Sequence, residues 1–168
     1  PVQLRQRLGD IGRICPGHHV LIYGASGSLG TFAVQLAKHF GAEVTGVCSA
    51  ANLELVRSLG ADRVIDYAAT DFAAGDLEYD FIFDAVARLS RRRIRKALKK
   101  VGIFLSAHDA RGSSAIRTED LVFLKSLIES GKVRSVIDRT YTLEQIVEAH
   151  RYVEQGHKRG NVVVTVAG

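Results

Sequence analysis

The segment from His19 to Lys38 constrains the fold of this 168-residue chain more than any other. Val20, Leu21 and Ile22 read as a buried strand, and Gly24, Gly27 and Gly30 mark a tight turn. Phe32, Ala33, Leu36 and Ala37 then fall at helical spacing. Nothing separates the three parts. Such a strand delivers the chain to the carboxyl edge of a parallel sheet, and small residues let the backbone come close to a ligand. The helix N-terminus then presents unpaired N–H groups and a positive dipole end. This order suits a dinucleotide pyrophosphate.

The rest of the chain repeats the alternation. The pattern predicts strands over 19–24, 43–49, 63–67, 79–86 and 102–107. One helix runs over 29–40 and ends at Gly41. Another runs through Leu53, Leu55, Val56 and Leu59, is capped by Ser49 or Asn52, and stops at Gly60. A basic helix fills the window from Arg88 to Val101, and a helix over 118–130 is expected to be capped by Thr118. Between them, Asp109, Arg111, Gly112, Ser113 and Ser114 predict a loop with no sixth strand. Beyond Gly131, Val136 to Tyr141 reads as extended, Leu143 to Glu154 as a helix and Asn161 to Val166 as a terminal strand. The expected fold class is therefore α/β: a doubly wound, mainly parallel Rossmann sheet with a short C-terminal strand-helix-strand tail. The expected division is a dinucleotide-binding domain over 1–133 and the tail over 134–168.

Composition narrows the class. Hydrophobic residues make up 46% and charged residues 24%, the balance of an ordinary globular domain. Cys15 and Cys48 have no metal spacing and suggest a reducing compartment. With no apolar run of membrane-spanning length, the expectation is a cytoplasmic protein without a membrane partner. The chain opens at Pro1 and has no methionine, which predicts a segment of a longer product. The net charge of +5 is concentrated in Arg88, Arg91, Arg92, Arg93, Arg95, Lys96, Lys99 and Lys100. A solvated helix face is the plain reading. A noncatalytic nucleotide- or RNA-binding module is the alternative, and the lack of interleaved aromatics to stack on bases counts against it.

The glycines are spaced GxxGxxG, with Ala25 where the usual fingerprint has glycine, so the turn gains its weight from the strand before it and the helix after it. The run from Gly24 to Lys38 closely resembles the zinc-independent quinone oxidoreductases, a branch of the medium-chain dehydrogenase/reductases. Leu53 to Tyr67, Tyr79 to Val86 and the tail from Val136 to Val166 match the same family. The resemblance implies an enzyme in which NADPH, bound to a Rossmann domain, reduces quinones, enones or similar electron-poor carbonyl compounds. It also implies a separate GroES-like catalytic domain on which the tail packs, and which this chain lacks. An enoyl-thioester reductase of the same superfamily is the alternative enzyme. Members often dimerise through a sixth strand; here the shortened 107–117 region either removes that surface or leaves an edge for a different homodimer.

The expected cofactor contacts follow from position. Ser26, Gly27, Ser28, Leu29 and Gly30 hold the pyrophosphate, largely through backbone N–H groups. An NAD-selective domain places an acid at the end of its second strand, whereas this one ends at Cys48-Ser49, with Glu43 at the opposite edge. Ser49 can donate to a 2′-phosphate, and the resemblance assigns Tyr67 to the same group, so NADP is expected over NAD. Ala85, Val86 and Ser106 lie where ribose and nicotinamide should rest. Relatives have glycine where this chain has Ala87. No side chain is assigned a catalytic role, and no Cys/His/Glu cluster has metal-ligand spacing. Lys158 and Arg159, between the last helix and strand, could reach a phosphate or a substrate, and solvent exposure is the plain reading.

Overall fold

The structure is a computed structural model and describes residues 2–108 and 117–166. Strands β1 (His19–Tyr23), β2 (Glu43–Cys48), β3 (Arg63–Asp66), β4 (Tyr79–Asp84) and β5 (Leu98–Ser106) form one sheet in the order β3-β2-β1-β4-β5. Every pairing in it is parallel. The order reverses between β1 and β4, the switch point at which doubly wound sheets bind ligands.

Both faces of the sheet are covered, which explains the continuous apolar runs in β1 and β4. Alternate side chains point to opposite sides: Val20, Ile22, Phe81 and Phe83 enter one core, Leu21 and Ile82 the other. On the first side pack α1 (Val2–Arg5), α2 (Ser28–His39), α3 (Leu53–Ser58) and α5 (Thr118–Glu129), through Leu4, Leu36, Val56 and Leu124. On the second side lie Phe72 and Ala73 from the connection before β4, and Ala97 of α4 (Arg91–Ala97).

The N-terminal helix was not assigned from sequence. Leu4, Leu8 and Ile11 carried its signal at helical spacing, but Gly9 and Gly12 interrupt the pattern, and α1 continues as a π-helix over Gln6–Ile11. The basic helix is shorter than expected. Its last turn is lost because Leu98 joins the second core and Lys99 Nζ is held 2.8 Å from Asp80, drawing these residues into β5. Arg91, Arg92, Arg95, Lys96 and Lys100 are exposed, while Arg93 lies 3.5 Å from Asp71.

Two expected caps are absent. No Thr118 side chain caps α5; its N-cap residue is Arg117. In the first turn, Asp120 is fully buried and accepts from Gln6 (2.6 Å) and Arg117 (3.1 Å), with Arg5 at 2.7 Å. At α3 neither Ser49 nor Asn52 supplies a side-chain cap, because a single 3₁₀ turn over Ala50–Asn52 intervenes.

The tail forms a separate parallel pair, β6 (Ile137–Thr142) with β7 (Asn161–Thr165), joined by α6 (Ile146–Glu154). A capping box between Thr142 and Gln145 starts the helical segment. Buried Gln35 of α2 ties the tail to the main sheet by accepting from Arg134 N–H (2.8 Å) and donating to the Arg134 carbonyl (3.0 Å). Among the described residues β5 is one edge of the main sheet and β3 the other. Residues 109–116, the centre of the expected loop and the place of the expected missing strand, lie outside the described residues.

Candidate functional site

A cleft of about 680 Å³ opens at the carboxyl ends of β1 to β4, bounded on one side by the tail. Its walls include Tyr23 and Gly24 after β1, Cys48, Ser49 and Asn52 after β2, Tyr67 after β3, and Val86 and Arg88 after β4. The segment Gly156–Arg159 completes it. Arg88, Lys158 and Arg159 line the cleft, and among the described residues no carboxylate does. An open cavity of this size and sign suits an extended polyanion.

The turn after β1 is built for close approach. A Cβ on Gly30 would lie 2.1 Å from the Gly24 carbonyl oxygen, so only glycine lets α2 pack this tightly against the turn. Gly27 is different. Its φ of −80° suits any residue, and a Cβ there would meet nothing nearer than the Gly24 oxygen at 3.5 Å. The fold therefore does not require glycine at 27. The amides of Ser28, Leu29 and Gly30, in the first turn of α2, have no intrahelical acceptor. The Gly27 amide is spent inside the turn, donating to Gly24 O at 3.1 Å.

Five expected contact residues line the cleft together: Ser26, Gly27, Ser49, Tyr67 and Val86. The other five do not. Ser28 donates to the Gly160 carbonyl at 2.7 Å, Leu29 is exposed, and Gly30 is buried in helix packing. Ala85 packs against the first core, its N–H on the Tyr23 carbonyl. The Ser106 carbonyl is taken by buried Arg7 at 2.8 Å. Arg88 and Asn52 were missed. In the sequence Arg88 belongs to the basic window and Asn52 is a candidate helix cap, so neither pattern points to the cleft.

The tail corrects a further expectation. Lys158 is half-buried, donates to the Ser28 hydroxyl and lies 2.8 Å from the Gly160 carbonyl, so its ammonium stands at the N-terminus of α2. Burial lowers its pKa, an effect that Asp138 partly offsets. The Gly160 N–H donates to Ser26 O at 2.8 Å, and Gly160 bridges to Gly27 as a parallel strand residue would. Arg159 is anchored by Asp138, which accepts its backbone N–H at 2.9 Å and the Tyr152 hydroxyl at 2.5 Å. Burial pushes Asp138 up, yet the Tyr152 and Arg159 hydrogen bonds together hold its carboxyl below the usual range. Burial, with the charge of Asp66, pushes the Cys48 thiol up to about 11, which leaves it a neutral wall group.

A family described as zinc-binding dehydrogenase matches residues 28–107, and a second of the same description matches 108–164. The NAD(P)H oxidoreductase RTN4IP1, mitochondrial, of Bos taurus is 35% identical over 195 residues, spanning 92% of this chain and 49% of that protein. The 2-methylene-furan-3-one reductase of Solanum lycopersicum is 35% identical over 156 residues, spanning 88% of this chain and 40% of that protein. The chain belongs to the quinone oxidoreductase-like medium-chain dehydrogenase/reductases. The quinone oxidoreductase from Coxiella burnetii superposes with a TM-score of 0.80 at 27% identity, across 99% of this chain and 58% of that one.

This dehydrogenase/reductase chain thus spans about half the length of the curated relatives it matches. Where the resemblance led to an expectation of glycine, Ala87 has φ +53°, a backbone region that favours glycine. Among the described residues no group of three or more His, Cys, Asp or Glu side chains could hold a metal ion. Among the same residues no helix is long and apolar enough to cross a membrane.

Proposed function

We propose that this chain is the NADP(H)-binding part of an oxidoreductase that transfers hydride to quinones, enones or related electron-poor carbonyl compounds. In this reading residues 1–133 bind the dinucleotide, and 134–168 form a tail that packs on a substrate domain. One observation carries it: among the described residues, the cleft at the reversal of strand order holds three cationic side chains and no carboxylate, beside the N-terminus of α2. The amides of Ser26, Ser28, Leu29 and Gly30, with the Lys158 ammonium, hold the pyrophosphate, and Gly27 leaves room for it. Ser49 and Tyr67 hold the 2′-phosphate, since an acid at the end of β2 would repel it. Val86 borders the nicotinamide end, with Ala85 and Ser106 behind it at the ends of β4 and β5.

When bound, the nicotinamide supplies the hydride; the chain's own residues bind, orient and screen it from water. No side chain here is assigned a proton transfer, and the reading is zinc-independent. The cytoplasmic expectation is retained in this proposal, although relatives carry mitochondrial and chloroplastic names.

Calorimetric titration of the chain with NADPH and NADH tests the reading. NADPH should bind more tightly, and exhaustive dialysis against a chelator should leave its affinity unchanged. Failure of both nucleotides at millimolar concentration would remove the cofactor assignment, and tighter NADH would reverse the preference. Loss of binding after chelation would remove the zinc-independent reading.

A further inference from the structure

At the amino end of β5, the end of the sheet away from the cleft, the register breaks. Leu98 pairs with Tyr79 and Ile103 with Phe81, so residues 99–102 face Asp80 alone. The excess chain bulges outward. It leaves Val101 90% exposed, more than any other large apolar side chain among the described residues. Lys99 is tied back to Asp80, whereas Lys100 stands exposed beside the valine.

The bulge follows directly on α4, whose outer side is basic. Successive helical residues turn by about 100°, so Arg91, Arg92, Arg95 and Lys96 fall within an arc of about 140°. All four are exposed. Among the described residues, Arg93 pairs with Asp71 and Lys99 with Asp80, and no carboxylate lies within ion-pair distance of the other four. The sequence has no acid between Asp84 and Asp109. For a helix that only covers a sheet this is unfavourable. Arg91 repels Arg95 and Arg92 repels Lys96 at i,i+4, and cations in the first turn oppose the helix dipole. The arrangement persists although an acid in that turn would relieve it, and such local conflicts belong to functional surfaces.

Whatever meets this face must be anionic and must also use an apolar tip. Residues 88–102 include no aromatic side chain to stack on bases, and a phosphate backbone gains nothing from Val101. An anionic bilayer uses both features: its headgroups attract the cations, and the valine enters the interfacial layer. We propose that α4 and the bulge after it dock this chain reversibly on a membrane surface rich in anionic phospholipid, with Val101 inserted. The expectation of no membrane partner rested on the lack of a spanning run, which surface docking does not use. None of these residues lines the cleft, so the inference is independent of the nucleotide reading.

Co-sedimentation of the whole chain with vesicles tests it, using phosphatidylcholine alone and phosphatidylcholine mixed with phosphatidylserine. The parent should bind only the mixed vesicles, and less as salt rises. Arg91→Glu combined with Arg95→Glu should weaken that binding by about tenfold or more. Val101→Ser leaves every charge in place and should weaken it severalfold. Val101→Trp introduces the chain's only tryptophan, whose emission should shift to the blue on the mixed vesicles. Equal binding to both vesicle types, binding to neither, unchanged binding in the arginine or serine variant, or an unshifted tryptophan overturns the proposal. Binding to single-stranded RNA with none to the vesicles assigns the face to nucleic acid and overturns it too. If the arginine variant fails to fold, judged by its thermal transition, the two Val101 variants decide. A parent that binds the mixed vesicles but neither nucleotide upholds this inference and removes only the cofactor reading.

Discussion

Ala87 shows how much a single residue can carry. The sequence marked it as a departure from the family, and the structure puts it at φ +53°, at the mouth of the cleft beside Val86 and Arg88. An L-residue in this region is strained by roughly 1 kcal/mol. Ala87→Gly should therefore stabilise the chain by up to about 1 kcal/mol in urea unfolding, since strain relief exceeds the added chain entropy; a destabilised variant would contradict this. Asn52 is the contrasting case. Its residue type was legible, but the serine oxygens that its amide meets, those of Ser26 and Ser49, lie on β1's turn and at β2's end, and only folding brings them together.

At the scale of elements, the tail is pinned to the glycine-rich turn through Gly160. That residue has φ +67°, and a Cβ on it would lie 2.4 Å from the Val136 carbonyl oxygen. Gly160→Ala should cost about 1–3 kcal/mol and should speed amide exchange across Asn161–Thr165. It should also weaken NADPH binding, because Lys158 and Arg159 reach the cleft from the same segment. Normal exchange and affinity in this variant would mean that the tail is not held there. The boundary between α4 and β5 teaches a related lesson. Helical spacing of cations ran on past Ala97, but burial of Leu98 and the Lys99–Asp80 pair determine where the helix ends.

Across the whole molecule, Asp120 connects the first residues to the last helix of the main sheet. Hydrogen bonding from Arg117 holds its carboxyl below the usual range against the opposing effect of burial, with Gln6 and Arg5 adding to it. A lowered carboxyl pKa stabilises the fold above the unfolded value near 4, and this contribution fades as pH falls through the folded value. Asp120→Asn should consequently lower the melting temperature at pH 7, and the gap from the parent should shrink steadily below about pH 4. A gap independent of pH would show that the charge of Asp120 contributes nothing.

What could be read before folding was local or periodic. The buried runs of β1 and β4 and the spacing of Gly24, Gly27 and Gly30 each depend on residues close in sequence, and they were enough for the fold class and for the expectation of a nicotinamide cofactor. What required the folded chain was long-range: Lys158 lies on Ser28 across 130 positions, and Arg7 on Ser106 across 99. The charge pattern of the cleft is assembled from β-strand ends and the tail, and neither spacing nor composition records how a distant side chain is directed once the core has closed around it.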